Sequence, residues 1–173
     1  MQDGKETTAK NFFFTVKRVD YGAYLVHGFS AEKLKVLSGG KTFKDHIDEI
    51  EKDFLRADVV VTHNTAFDLM FLRREFERVG RELVLKGSFC TMKSTVSLCK
   101  LSRTGGGYKY PKLSELCDFL GIDEKTVAGV TRELFSEDAG YHDARFDTAA
   151  VYLIVNEGRS KSSVFDKVSG FLS

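Results

Sequence analysis

Three consecutive valines, Val59, Val60 and Val61, followed by Thr62-His63-Asn64-Thr65, constrain this chain more than any other stretch. A continuous β-branched run is stiff at χ1 and reads as a strand buried on both faces. The polar tetrad reads as a turn, and the residues beyond it repeat at helical spacing. Strand, turn and helix in that order predict an α/β chain, in which strands alternate with helices.

In that helix Asp68 stands three and four residues before Phe71 and Leu72 and eight before Phe76, which puts its carboxylate in the apolar stripe. Burying a lone carboxylate is costly, so a metal ion or a set of hydrogen-bond donors must hold it. A local cap or polar pair near the helix start meets the same need with no ligand at all. A second segment, Gly140-Tyr141-His142-Asp143-Ala144-Arg145-Phe146-Asp147, repeats the anomaly. Asp147 falls in one helical stripe with Ala144, Val151 and Ile154. His142, five residues earlier, is off that face and belongs to the loop or first turn, with Gly140 loosening its approach.

His63-Asn64-Thr65-Ala66-Phe67-Asp68 resembles the second motif of the DEDDh family of 3'–5' exonucleases, which includes bacterial proofreading exonucleases. His142 with Asp147 resembles the third motif. The likeness runs from about Asn11 to Asn156 and takes in Val26-His27-Gly28-Phe29-Ser30 and Phe89-Cys90-Thr91, the latter in the place of an Asp-Thr strand end. It implies a ribonuclease-H-like mixed β-sheet flanked by helices. It further implies Asp68 and Asp147 as ligands of Mg²⁺ or Mn²⁺ in a two-metal site, His142 as general base, and His63, Asn64 and Phe67 as substrate contacts. An imidazole, with an ordinary pKa of about 6.5, suits proton abstraction from water near neutral pH. Two divalent ions roughly 3.5 to 4 Å apart stabilise the attacking and leaving oxygens of a phosphodiester together. The implied product is a nucleoside 5'-monophosphate released from a free 3' end. The implied partners are single-stranded or frayed nucleic acid, DNA favoured, and a DNA polymerase subunit.

The resemblance breaks at the N-terminus. Family members begin with a strand bearing Asp-x-Glu-Thr, which supplies two more carboxylates. Gly4-Lys5-Glu6-Thr7-Thr8 imitates its end, but Gly4 would occupy the Asp position and the Phe12-Phe13-Phe14 run follows too soon. Asp3-Gly4-Lys5 reads better as a hairpin turn. On this reading the chain starts late in the second strand, and the fold is N-terminally incomplete.

A length of 173 residues with 42% hydrophobic and 29% charged residues suits one soluble domain, here an exonuclease-like unit over 1–158 with a tail over 159–173. A net charge of +1 says little about partners, because a nucleic-acid site can be locally basic on a neutral protein. Cys90, Cys99 and Cys117 are odd in number and lack CxxC spacing, which points to reduced thiols in the cytoplasm. No apolar run suggests a signal peptide or a membrane span.

Phe12 to Val19 reads as a strand, then a loop through Tyr21 and Gly22 leads to His27-Gly28. Ser30 caps a short helix ended by Gly39-Gly40. Thr42 caps a longer one carrying Phe43, Ile47, Ile50 and Phe54, with Asp45, His46, Asp48, Glu49 and Glu51 on its solvated side. Arg73, Arg74, Arg78 and Arg81 form a basic cluster, either a solvated face or a phosphate contact. A strand at Phe89 precedes a helix capped by Thr91 with Val96 and Leu98. Ser102-Arg103-Thr104-Gly105-Gly106-Gly107 lacks the Gly-Lys-Ser/Thr ending of a P-loop and reads as a flexible surface loop near substrate. Leu113, Leu116 and Leu120 share a helix stopped by Gly121. Residues 123–139 give no clear period. Val164, Phe165, Val168 and Leu172 make an amphipathic tail that packs on the domain or meets a partner.

Two other readings compete with a DNA exonuclease. One is a nuclease-like module that binds nucleic acid or a polymerase without cutting. The other is a nuclease for short RNAs, since nothing in the sequence reads a 2'-hydroxyl.

Overall fold

The valine run forms a strand, β1 (Val60–Thr62), that pairs in parallel with β2 (Ser88–Cys90) in the register Val60 to Ser88, Val61 to Phe89 and Thr62 to Cys90. The coordinates, a computed structural model, describe residues 7–136 and 139–169. Three helices precede β1: α1 (Tyr21–His27), α2 (Ala31–Leu37) and α3 (Phe43–Arg56). Between the strands lies α4 (Thr65–Arg78). After β2 come α5 (Thr91–Ser94), α6 (Val96–Cys99), α7 (Leu113–Leu120), α8 (Glu124–Phe135) and α9 (Ala144–Lys161). A 3-10 turn (Ser163–Phe165) and α10 (Asp166–Ser169) complete the described chain. The result is a helix-rich α/β chain whose sheet, among the described residues, has two strands.

That sheet separates two hydrophobic cores. Period-2 alternation sends Val59 and Val61 toward a core built from Phe89, Leu116, Leu120, Phe146, Ile154 and Phe165. Val60 and Thr62 turn the other way, into a cavity of about 620 Å³ also lined by Phe43, Ile50, Phe54 and Leu72. The second core, Phe43, Ile47, Ile50, Phe76 and Leu83, lies beyond it. The valines are therefore only half-buried, and the expectation of a strand covered on both faces fails because one face looks into this open space.

Several local readings change with tertiary context. Phe12 to Val19 forms no strand. Its rings pack on α3, with Phe14 5.4 Å from Phe43 and Phe12 5.1 Å from His46, and its backbone is tied down by Thr15 N–H to Lys41 O at 2.7 Å. His46 thus faces aromatic rings and leaves the solvated side. Residues 21–27 are helical because Asp20 accepts hydrogen bonds from Gly22 and Ala23 N–H and Gly28 closes the other end at φ 71°. Asp123 likewise caps α8 over part of the stretch that showed no period. Cys90 caps the short α5, and the helix carrying Val96 and Leu98, α6, begins after Thr95 and not at Thr91. The Asp3-Gly4-Lys5 turn and Leu172 fall outside the described residues.

Helix α9 runs through residue 158, and Phe165 and Val168 return into the core that α9 builds with α7 and α8. Gly158 is buried in α9 under the ring of Phe165, and a Cβ there would fall inside the van der Waals shell of Phe165 Cε2, Cζ and Cδ2. Alanine would gain up to about 1 kcal/mol of helix propensity. Overpacking a fully buried ring costs about 1–3 kcal/mol, so the clash wins. Gly158→Ala should lower the urea midpoint at constant m, and pairing it with Phe165→Leu should recover part of the loss; a midpoint at or above wild type would refute this packing.

Candidate active site

The turn after β1 is built around an inward-facing imidazole. His63 Nε2 donates to the carbonyl of Pro111 at 3.1 Å, and Nδ1 lies 2.9 Å from the hydroxyl of Thr91. Burial pushes the His63 pKa down, against the opposing pull of the Pro111 carbonyl, so the ring is neutral and Nδ1 accepts from Thr91. Both ring nitrogens are engaged inside the protein.

Asn64 follows at φ 86° and ψ 52°, the left-handed conformation that asparagine tolerates better than most residues. It starts α4, and its side chain makes no cap hydrogen bond. Phe67, one turn on, is 55% exposed and stands edge-on to Phe71 at 4.8 Å. Phe71 is therefore absent from the buried stripe, which is made by Thr65, Asp68, Leu69, Leu72 and Phe76. Asp68 is half-buried in the wall of the cavity beside Thr62 and Leu72. Burial raises its pKa, with the Thr62 hydroxyl acting in the opposite sense.

The second segment enters from the far end of the chain. Asp143 caps α9 through Arg145 N–H at 3.0 Å, and the Arg145 guanidinium returns to the same carboxylate from Nε at 2.9 Å and from Nη2 at 2.8 Å. This two-pronged pair holds the Asp143 pKa below the usual carboxylate range. It also fixes the turn that carries His142, which is exposed at φ 71°, as expected for a residue off the helix face. Asp147 lies half-buried in the first turn of α9, its Oδ1 3.4 Å from His142 N–H. Ala144 is exposed, so the buried stripe of α9 runs instead through Phe146, Ala149, Ala150 and Ile154.

The two acids share one electrostatic environment. Burial raises the pKa of Asp147, the N–H and charge of His142 lower it, and the charges of Asp143 and Asp68 raise it further. Asp68 and Ala144, Arg145 and Thr148 of the α9 N-terminus line the same cavity. Asp68 thus lines one cavity with the start of α9, where Asp147 accepts from the His142 backbone N–H and feels the charge of Asp68. Asn64 and Phe67 stand with Asp68 at the start of α4, and His63 supports it from inside.

Sequence reasoning missed two participants. The Asp143–Arg145 clamp was signalled only by an arginine in the apolar stretch of a helix. Cys117, buried on α7, has its thiol pushed up to about 11 by burial and by the charges of Asp118 and Asp147, so it remains a neutral neighbour of the site.

Magnesium is commonly held by one or two carboxylates together with water and substrate phosphate, and Asp68 with Asp147 fits that donor set. Among the described residues no three His, Cys, Asp or Glu side chains converge closely enough to hold an ion on their own. Nor, among them, is any helix long and apolar enough to cross a membrane.

Over 130 residues the chain is 30% identical to the DNA polymerase III subunit epsilon of Salmonella typhimurium and to that of Escherichia coli strain K12, a match taking in 72% of this chain and 51% of each relative. It thus spans about half the length of the curated relatives it matches. No protein-family model matches, and no solved structure is a significant match.

Raised carboxylate pKa values have a stability cost. Each acid loses nothing while protonated, and as pH climbs from the ordinary value of 3.8 through its raised folded value the folded state is progressively penalised. At pH 7 the penalty is fully present. Asp68→Asn and Asp147→Asn should therefore raise Tm at pH 7 in the presence of a chelator, with the gain fading toward pH 4. Added Mn²⁺ should raise the Tm of wild type more than that of either variant. Variants less stable than wild type at pH 7 would show that the acids are held by donors instead.

Proposed function

We propose that this chain is a metal-dependent 3'–5' exonuclease domain of the DEDDh type, with a ribonuclease-H-like arrangement of sheet and helices, acting on single-stranded or frayed DNA ends. The observation that supports the reading is that Asp147, which accepts from the His142 backbone N–H, feels the charge of Asp68 from a distant part of the sequence, while His142 itself is exposed. The similarity to two epsilon subunits of DNA polymerase III supports it and extends the proposal to association with a polymerase.

Asp68 and Asp147 would hold Mg²⁺ or Mn²⁺. A bound ion of this kind polarises a phosphodiester and eases deprotonation of water. His142 stands outside the helix with its ring in solvent, where it accepts the proton lost by the attacking water. The Asp143–Arg145 clamp fixes the turn between His142 and Asp147. Asn64 and Phe67 meet the terminal nucleotide, Phe67 offering an exposed ring face on which a base can stack. The protein side of the site is electrostatically strained in the absence of a cation, because burial disfavours the charged form of both half-buried acids.

The described residues furnish two carboxylates at this point, half of the set that the two-ion reading calls for. That observation favours one competing reading, a nuclease-like module that binds a strand without cutting it. With Mg²⁺ and a 5'-labelled single strand, the enzyme should release nucleoside 5'-monophosphates stepwise from the 3' end. Asp147→Ala and His142→Ala should each reduce the rate by at least about 100-fold while circular dichroism stays unchanged. Tight strand binding with no mononucleotide release, at high protein concentration and in Mn²⁺ as well, would replace the enzyme with the binding module.

A further inference from the structure

The residues from 83 to 114 contain Lys86, Lys93, Lys100, Arg103, Lys109 and Lys112 and no aspartate or glutamate, on a chain whose net charge is only +1. Two of these cations are paired: Lys86 with Asp58 at 2.9 Å, and Lys109 with Glu115 of α7. Lys93, Lys100, Arg103 and Lys112 are exposed and make no ion pair among the described residues.

This basic segment is anchored to the candidate site at both ends by one side chain. The Thr91 hydroxyl meets His63 Nδ1 and the Pro111 carbonyl meets His63 Nε2, so the excursion between residues 91 and 111 leaves from and returns to the turn that carries Asn64. At its tip the chain doubles back as a small hairpin. Ser102 and Tyr108 form an antiparallel bridge, Lys109 N–H reaches Leu101 O at 2.9 Å, and Arg103 N–H reaches Gly107 O at 3.0 Å. The turn closes because Gly105 and Gly106 adopt φ 94° and 98°, a region closed to most side chains. Tyr108 and Tyr110 emerge from the returning arm 51% and 57% exposed. A core-seeking tyrosine would not sit so far in solvent twice within three residues of a glycine turn.

Exposed aromatic rings interleaved with unpaired cations are what an unstructured polynucleotide needs: π-faces for its bases and positive charge for its phosphates. We propose that the 91–112 segment is a track for single-stranded DNA, with Tyr108 and Tyr110 stacking bases internal to the strand and Lys100 and Arg103 contacting its phosphates, delivering the 3' end to Asn64 and Asp68. The inference deepens the exonuclease reading and rests on it for the direction of the strand. Stacking contacts are indifferent to base identity, so the track holds any sequence. Duplex DNA, whose bases are already stacked, gains nothing from the tyrosines.

The test separates the track from the chemistry. Anisotropy of a 5'-fluorescein thymidylate 12-mer in a chelator reads strand binding with no cleavage. Turnover of the p-nitrophenyl ester of thymidine 5'-monophosphate in Mn²⁺ reads the catalytic centre with no strand to track. Tyr108→Ala combined with Tyr110→Ala should raise the Kd for the 12-mer by about tenfold or more, and the corresponding double Phe variant should bind as wild type. Arg103→Ala and Lys100→Ala should each reduce the slope of log K against log salt by about 0.7. Ester turnover should be unchanged in all of them. The track is overturned if the double Ala variant binds the 12-mer like wild type, if ester turnover falls in step with binding, or if a duplex or a ribonucleotide 12-mer is preferred. An inert ester in wild type would sink the catalytic reading alone, because the binding comparison stands without it.

Discussion

One neutral imidazole holds together pieces of chain that nothing local would unite. His63 closes β1, receives Thr91 from the end of β2, and fixes Pro111 at the entrance to α7. A sheet of two short strands is marginal by itself, and three ladder positions contribute little. The His63 bonds lock the ends of those strands in register, and the Thr62 carbonyl, 3.3 Å from the Thr91 hydroxyl, is the alternative acceptor for that group's one proton. Because burial disfavours the charged ring, the same pair of bonds that positions the turn would be weakened by protonating it.

The site built on this frame works by tension. Each carboxylate sits where hydrocarbon would be more stable, and the Asp68 charge adds to the difficulty of ionising Asp147. Proteins keep such arrangements where a cation or a reacting group settles the account. Order around the acids comes from groups that are themselves satisfied: the Asp143–Arg145 pair, the buried Thr91, and Cys117, which stays neutral. His142 and Asn64 both take left-handed backbone conformations, and these two of the four such non-glycine residues flank the acids. Strain of this kind persists where the surroundings over-determine it.

What could be read in advance follows from how local the determining physics is. The strand, turn and helix around Val59 to Phe76 were legible because β-branched stiffness and a 3.6-residue period act within a few residues. So was the loop position of His142, which needs only the helical angle between it and Asp147. Phe12 to Val19 misled because aromatic and β-branched residues pack equally well as an unladdered segment against α3, and composition alone does not distinguish the two. The α1 helix was missed because its stability rests on capping by Asp20 and Gly28, with no buried face to create a period. The bonds of His63 to Thr91 and Pro111 were not legible, because nothing in the sequence reveals that those two residues converge on it.

The same locality explains why the basic segment escaped notice when motifs were sought. A motif search weighs residues that are present, whereas the informative property between residues 83 and 114 is the acids that are missing. Elsewhere in the chain some lysines and arginines are answered by carboxylates: Lys10 by Glu49 and Asp53, Arg81 by Asp48 and Glu51, Arg145 by Asp143. Such exposed pairs contribute little to stability, but they cancel the field that would otherwise reach into solvent. Where the cancelling partners are absent, positive potential persists over the distance of a Debye length, about 8 Å at physiological ionic strength. That length bridges the gap between neighbouring phosphates of an extended strand. On the proposed reading a polyanion passing the hairpin would be drawn toward the His63 turn before any base is stacked, and Asp68 and Asp147 would meet it with negative charge for a divalent cation to offset.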